Sequence, residues 1–303
     1  MSEEPTSEEI EELLKKKRQK LEELEKTGKN NAYIKELSDI ALLELELNRF
    51  EESKNNLLIC LKHFKKQKDR IGQAALYGIL GILKFKQEDH KKSIEYYQEA
   101  LNIYKELNQP HEQIICLKGI GNNLIKLKEY DEACDVFLDC SAICSDNNDI
   151  YNLLDCIGHL IDVHETLEKW DVLYELYLKA LEAFKELNDI KGIITSYFNL
   201  GLIDKRNKNY DNSLLNFKKG TNKAIDGNYQ EFILRGLSYV GEILFYQGKI
   251  KEAQKNYFNA LKLAKKIGAK NAIIQLEILL KSLGVSEKKL KKFLETNESN
   301  KES

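Results

Sequence analysis

Apolar and polar positions repeat along this 303-residue chain with a period of 40 residues. A small or aliphatic residue recurs at that step, and a bulky apolar residue stands immediately before each one. The small positions are Ala41, Gly81, Gly121, Ile161, Gly201 and Gly241, and the bulky ones are Ile40, Leu80, Ile120, Leu160, Leu200 and Val240. Self-similarity at a fixed period indicates a stacked array of similar units rather than one globular core.

Three further series share this period, and each follows the first series at a fixed offset along the chain. They are Ser53, Ser93, Ala133, Leu173, Ser213 and Ala253; Leu57, Tyr97, Phe137, Tyr177, Phe217 and Tyr257; and Cys60, Ala100, Cys140, Ala180, Gly220 and Ala260. Their spacings of four and three place them on one face of a second helix in each unit. Small residues in the series of Gly81 and in the series of Cys60 would let the two helices approach closely. The larger side chain of the Leu57 series fills the space between them.

Each unit is therefore predicted to be a helical hairpin. The apolar positions of the first helix are spaced by three and then one, which places them on one helix face. A polar turn such as Lys86–Asp89 follows, and a bulky residue closes it. The closing residues are Phe50, His90, Tyr130, Trp170, Tyr210 and Ile250. Because one hairpin cannot bury its apolar face alone, each must stack on its neighbour.

Two segments carry a resemblance to a known repeat. Leu80–Phe85 followed by Ser93–Leu101 resembles the tetratricopeptide repeat, as does Gly241 to Ala253 with Tyr257 and Ala260. The period exceeds the ~34 residues usual for that repeat. It is similar to the longer-repeat branch seen in Pins-type polarity adaptors, kinesin light chains and bacterial Rap-type peptide receptors. The resemblance implies an all-α fold, a right-handed α-solenoid of six helical hairpins with capping helices at both ends.

We expect three regions along the chain. Residues 1–31 are an N-terminal charged helix or arm, residues 32–285 the repeat solenoid, and residues 286–303 a short basic helix and a disordered tail. Within the solenoid the repeats lie near 32–70, 71–110, 111–150, 151–190, 191–230 and 231–270, followed by a capping helix at 271–283. The N-terminal helix, at residues 7–27, either caps the array, covers its groove or binds a partner.

Composition narrows the classes of partner. A net charge of −2 gives no overall field for nucleic acid, so no nucleic-acid partner is expected. No apolar run approaches the ~18 residues that a membrane-spanning helix needs, and the N-terminus is polar and acidic. We therefore expect no membrane partner and a cytoplasmic location.

The six cysteines lie on apolar helix positions and are expected to be reduced and buried. Cys140 and Cys144 lack a second pair of the Cys-x2-Cys kind, so no metal and no cofactor are predicted. Gly119 and Gly121 begin like a dinucleotide-binding fingerprint, but Leu124 occupies the third glycine position and no strand precedes them. With no catalytic residues grouped in the sequence, the chain is not expected to be an enzyme.

The resemblance implies that the first helix of each unit lines a concave groove. Three aromatic side chains, Phe85, Phe198 and Phe245, are expected there as exposed anchors, with charged residues setting the orientation of a bound segment. The remaining groove residues are Lys86, Lys118, Asn122, Lys126, Asp162, Glu165, Asn199, Lys205 and Arg206. We expect two patches to hold acidic residues of a partner, and they are Lys118 with Asn122 and Lys126, and Lys205 with Arg206.

This pattern favours a non-catalytic adaptor that binds a peptide segment of a partner protein in the groove. The alternative is a regulatory sensor of a short peptide, similar to the Rap-type receptors.

Overall fold

The computed structural model of the protein describes residues 5–26, 28 and 30–296. These described residues form helices and no strand. The helices are α1 (Ser7–Lys26), α2 (Asn31–Glu46), α3 (Phe50–Gln67), α4 (Arg70–Lys86), α5 (His90–Glu106), α6 (Pro110–Leu127), α7 (Tyr130–Asp146), α8 (Ile150–Thr166), α9 (Trp170–Glu186), α10 (Ile190–Arg206), α11 (Tyr210–Asp226), α12 (Gln230–Tyr246), α13 (Ile250–Ile267), α14 (Lys270–Ser282) and α15 (Glu287–Thr296). The predicted all-α, helical-repeat fold is confirmed.

The even-numbered helices α2 to α12 are the first helices of six hairpins, and the odd-numbered helices α3 to α13 are the second. Every second helix begins at one of the bulky residues that close the polar turns, from Phe50 to Ile250. Several first helices carry a polar cap. Asn30 accepts hydrogen bonds from the backbone of Ala32 and Tyr33, and Asp189 caps α10 in the same way.

The corners between helices are alike. A non-glycine residue with φ between 50° and 63° recurs at every half period of the repeat, at Asn48, Lys68, Glu88, Asn108, Lys128, Asn148, Glu168, Asn188, Lys208 and Asn228. Gly248 and Gly268, both at 74°, continue the series. Asparagine tolerates the left-handed conformation better than most residues, which suits its five occurrences here. Each of these helices therefore stops in a similar left-handed turn.

Within each of four hairpins an aromatic ring rests on a glycine, and Gly241 with Tyr257, at 2.9 Å, is one of these pairs. A Cβ atom built at Gly121 would lie 2.6 Å from the Phe137 ring, and one at Gly201 would lie 2.8 Å from Phe217. Gly81 and Tyr97 form the same contact, at 3.0 Å. The predicted close approach of the two helices is thus confirmed, because only the missing side chain leaves room for the ring.

The described part of the chain divides into two compact units, Met1–Val163 and His164–Ser303. One core cluster of the first unit joins α1 to α5, and its fully buried members include Leu57 and Cys60. The largest cluster of the second unit extends from Ile194 in α10 to Leu290 in α15.

Helix α1 lies against α2 through one buried leucine and several ion pairs. Leu14 is buried, and both Lys17 and Lys20 reach the carboxylate of Glu36, at 3.1 and 2.7 Å. Burial opposes ionisation of Glu36, but the hydrogen bonds from the two lysines outweigh it and lower the pKa of that carboxyl. Lys17 and Lys20 stand one period before the buried Leu57 and Cys60, and a buried acid thus neutralises their charges.

At the other end, α14 begins and ends one residue before the capping helix predicted at 271–283, and it buries Leu276 and Leu280. The short helix α15 follows, and residues 297–303 of the predicted tail lie outside the described residues. None of the described helices is both long and apolar enough to span a lipid bilayer.

Candidate functional site

In each unit, the first helices of two consecutive hairpins are neighbours. In the first unit α4 contacts α6, and in the second unit α10 contacts α12. The positions of these helices that do not pack on a second helix therefore lie side by side on one surface of each unit. We call it the first-helix face of that unit.

On the first unit, the predicted groove residues Phe85 and Lys86 both have intramolecular partners. Phe85 is half-buried and meets the ring of His90 edge-on, with ring centres 5.5 Å apart. The Lys86 ammonium lies 3.3 Å from the carboxylate of Glu46, its counterpart in the preceding hairpin.

Lys118 is the most strongly held of the predicted basic residues. Its ammonium pairs with Asp155 at 2.5 Å and donates to the Asn152 side chain at 3.1 Å. Burial acts to lower the pKa of Lys118, but the pairing with Asp155 outweighs it and the net shift is upward. Asn122 is half-buried, and Lys126 is exposed with no ion pair to any described residue. Of the three predicted groove lysines of the first unit, Lys126 is thus the one that forms no ion pair with a described residue.

On the second unit, Lys205 lies 3.1 Å from both carboxylate oxygens of Glu242. The Arg206 guanidinium stacks over the Trp170 ring at 4.1 Å and lies 3.7 Å from Glu168. Both predicted cations are thus close to acids of their own chain. Asn199, on the same helix, is half-buried.

Exposed aromatic side chains flank these charges. Phe245 and Tyr246, at the end of α12, are 45% and 49% exposed. Tyr246 stacks on Tyr210 with ring centres 5.4 Å apart and an interplanar angle of 14°. We call Trp170, Arg206, Tyr210, Phe245 and Tyr246 the aromatic surface. The sequence pointed to part of it, because Trp170 and Tyr210 close hairpin turns and Tyr246 follows Arg206 by one period.

The expectation that Phe198 is an exposed anchor is wrong. Its side chain is 2% exposed and packs among Phe217, Phe232 and Tyr239. A Cβ at Gly220 would lie 2.6 Å from the Phe198 ring, so the absence of a side chain there gives the ring its space. Phe198 belongs to the core of the second unit and offers no surface to a ligand.

The two predicted acidic groove residues belong to different units. Asp162 is exposed on the first unit. Glu165 is exposed on the second unit, where it accepts a hydrogen bond from the Tyr177 hydroxyl at 3.0 Å.

Three buried thiols meet in the first unit, and the sequence analysis missed this group. The sulfur atoms of Cys140, Cys144 and Cys156 all lie within 4.8 Å of one another. Two periods earlier, the positions equivalent to Cys140 and Cys156 are occupied by Cys60 and Leu76. One period earlier, they are occupied by Ala100 and Cys116. The repeat period could therefore have revealed the group, since only one hairpin boundary has cysteine at both positions.

The acidity of these thiols differs. The hydrogen bond shared with Cys140 lowers the pKa of Cys156, and the nearby Lys118 charge acts in the same direction. Sharing that proton and being buried raise the pKa of Cys140, and burial raises the pKa of Cys144 to about 12.

Comparison with known proteins supports the repeat interpretation. Residues 35–106 match the family model for the tetratricopeptide repeat. A curated relative, response regulator aspartate phosphatase I of Bacillus subtilis (strain 168), is 24% identical over 202 residues, or 64% of this chain. The chain spans about half the length of that relative, 49%.

Two solved structures share the fold. The apo form of RapI has a TM-score of 0.51 at 15% identity, covering 86% of this chain and 99% of that one. A signal transduction ATPase with a tetratricopeptide repeat sensor, from Pyrococcus horikoshii, has a TM-score of 0.55 at 15% identity. That match covers 94% of this chain and 43% of the other. Residues 35–106 thus match the tetratricopeptide repeat, and the six hairpins described above share the helical-repeat fold of these two structures.

Proposed function

We propose that this protein is a non-catalytic adaptor whose first-helix faces bind a peptide segment of a partner protein. Tetratricopeptide repeats in general are protein- or peptide-binding scaffolds without catalytic activity. The observation that carries the proposal is the aromatic surface of the second unit, where Phe245 and Tyr246 are exposed close to the Lys205–Glu242 pair.

Exposed apolar side chains grouped beside charges are typical of a binding surface. Phe245 and Tyr246 are large, and nearly half of each side chain is exposed, so covering them would supply affinity. The neighbouring Lys205 and Glu242 present opposite charges, which would fix the direction of an extended or helical segment.

The predicted basic residues differ in whether an acid of their own chain already neutralises their charge. Lys118, Lys205 and Arg206 each have an acidic neighbour in their own unit, so a partner's carboxylate must compete with it. Lys126 has no such competitor among the described residues and is the strongest candidate for a direct contact on the first unit. A cytoplasmic location is part of this proposal, and the six free cysteines support it.

The test uses selection from a library of random peptides displayed on phage, with the full chain as bait. We expect enriched peptides that lose at least about 30-fold in affinity for the Phe245→Ala/Tyr246→Ala variant, the loss typical of binding hot spots. Leu215→Ala is the matched control, because Leu215 is 51% exposed in the same unit but lies on the second helix α11. Peptides that bind both variants as tightly as the wild type would refute the proposed surface.

A second experiment tests the basic residues. In the Lys126→Glu/Arg206→Glu variant we expect weaker binding of selected acidic peptides, with helicity unchanged by circular dichroism. Unchanged binding would rule out a role for these charges.

The alternative, a sensor of a short regulatory peptide, is supported by the match to the response regulator aspartate phosphatase of Bacillus subtilis. Native mass spectrometry of the chain isolated from its own cells separates the two functions. A sensor would retain short peptides, whereas an adaptor would retain whole proteins.

A further inference from the structure

The three thiols of the first unit are held together by two helices. Cys140 and Cys144 are four residues apart on α7, so they share one helix face. Cys156 comes from α8, and its sulfur lies 3.0 Å from that of Cys140. All three residues have a relative exposure of 0%. The sulfurs therefore converge in a space closed to solvent.

The sulfurs lie close enough together for trigonal coordination after small movements. A metal ion about 2.3 Å from each of three sulfurs in a plane would hold the sulfurs about 4 Å apart. The three sulfur atoms lie within 4.8 Å of one another, and those of Cys140 and Cys156, now 3.0 Å apart, would have to separate to reach that distance. The ligands come from two rigid helices, which fixes the geometry before an ion arrives.

The character of the ligands selects the ion. Thiolates favour soft cations, of which Cu(I) is the typical monovalent example. Structural zinc almost always takes four ligands, and the group contains three His, Cys, Asp or Glu side chains among the described residues. Because the sulfurs are closed to solvent, water is poorly placed to supply a fourth ligand. Three-coordinate Cu(I) needs none.

Lys118, whose ammonium pairs with Asp155, lies near Cys156 and Cys140. The thiols would lose their protons to solvent as the ion binds, which makes the affinity for the ion fall at lower pH.

We propose that Cys140, Cys144 and Cys156 form a three-thiolate binding site for Cu(I) between α7 and α8. This site is separate from the proposed peptide-binding surface of the second unit, and either can exist without the other. Its ion would join two consecutive hairpins.

The experiment titrates the reduced full chain with Cu(I) held by a chromogenic chelator, without oxygen and with a phosphine reductant. We expect the wild type to withdraw one Cu(I) per chain. Cys144→Ser and Cys156→Ser should each weaken this binding more than about a hundredfold, because loss of an outer partner of a metal ligand alone typically costs 10–100-fold.

Cys60→Ser and Cys116→Ser are the matched controls. Both residues are buried, Cys60 occupies the repeat position of Cys140, and Cys116 occupies that of Cys156. Each control should bind one Cu(I) with wild-type affinity. Equal losses in controls and site variants, or no withdrawal of Cu(I) by the wild type, would overturn the proposal.

X-ray absorption of the Cu(I)-loaded wild type keeps the proposal testable if a serine variant fails to fold. We expect three sulfur neighbours and no nitrogen or oxygen in the first coordination shell. A nitrogen or oxygen neighbour, or binding of Zn(II) as tight as that of Cu(I), would contradict the three-thiolate site.

Discussion

The hairpin α2–α3 of the first unit and the hairpin α10–α11 of the second unit share one frame and differ in the surroundings of a buried acid. In both, a serine hydroxyl on the second helix donates to a backbone carbonyl of the first. The Ser53 hydroxyl reaches the oxygen of Ala41 at 2.7 Å, and the Ser213 hydroxyl reaches that of Gly201 at the same distance.

The acids are Glu44 and Asp204, which stand four periods apart in the repeat. Each is buried and accepts a hydrogen bond at 2.8 Å from an asparagine amide, Asn56 or Asn216. Glu44 also pairs with Arg18 of α1 at 2.8 Å, whereas Asp204 has no ion pair with a described residue. Burial accordingly raises the pKa of Asp204. Both hairpins thus accommodate a buried acid at the same repeat position. Of the two acids, Glu44 alone receives a countercharge from α1.

The largest expected effect concerns Phe217, whose ring fills the space between α10 and α11. Phe217→Ala should destabilise the protein by about 3–5 kcal/mol, because a fully buried ring is replaced by a cavity. The double variant Gly201→Ala/Phe217→Leu copies the Ala41 and Leu57 pair of the first hairpin and should cost far less. Urea unfolding followed by circular dichroism measures both. A double variant as unstable as Phe217→Ala would show that the two frames are not equivalent.

The next effect tests the countercharge. Arg18→Met should cost about 1–3 kcal/mol, since it leaves the buried Glu44 carboxylate without its cation. It should also speed proteolytic cleavage within α1. Lys16→Met is the control, because Lys16 pairs with Glu12 on the exposed side of the same helix and such pairs contribute under about 1 kcal/mol. Equal cleavage rates in the two variants would contradict the role of Arg18.

A smaller effect is expected from the serine hydroxyl. Ser213→Ala should cost about 1 kcal/mol, the usual net value of one hydrogen bond. The hairpin α6–α7 already carries Ala133 at the equivalent position, so the variant should keep its helicity. Thermal unfolding provides the measurement, and a loss of cooperativity would show that the bond is essential to the frame.

The smallest effect concerns pH. The raised pKa of Asp204 means that its contribution to stability is complete at acid pH and declines as the pH rises through the folded-state value. Asp204→Asn keeps an acceptor for Asn216 and removes the titration. The variant should therefore gain stability relative to the wild type between acid and neutral pH, as measured by urea unfolding at several pH values. A difference in unfolding free energy between variant and wild type that does not change with pH would exclude the titration of Asp204 as its cause.

Much of this frame could be predicted from the sequence, because it rests on contacts repeated at one period. The contact of Phe137 with Gly121 follows from two series that keep a fixed offset, and the turn-closing residues mark the start of each second helix. Because the same residue positions recur in every hairpin, one sequence pattern predicts the equivalent contact in several hairpins.

The rest depends on side chains that meet only in particular hairpins. Phe198 is buried because Gly220 and Gly236, on two later helices, leave space for its ring. Lys205 is paired because Glu242 occupies the facing position one hairpin later. Neither arrangement recurs at the period, so repeat spacing alone did not distinguish a buried ring or a neutralised charge from a free one.

The left-handed corner that recurs at every half period has a consequence for how such a chain changes size. Cutting the gene at two equivalent corners and rejoining it removes or duplicates a whole module, and the junction keeps a backbone turn that the flanking helices already accept. Insertions of other lengths would place a corner inside a helix. The corners thus set the step in which evolution or a designer can alter the number of modules.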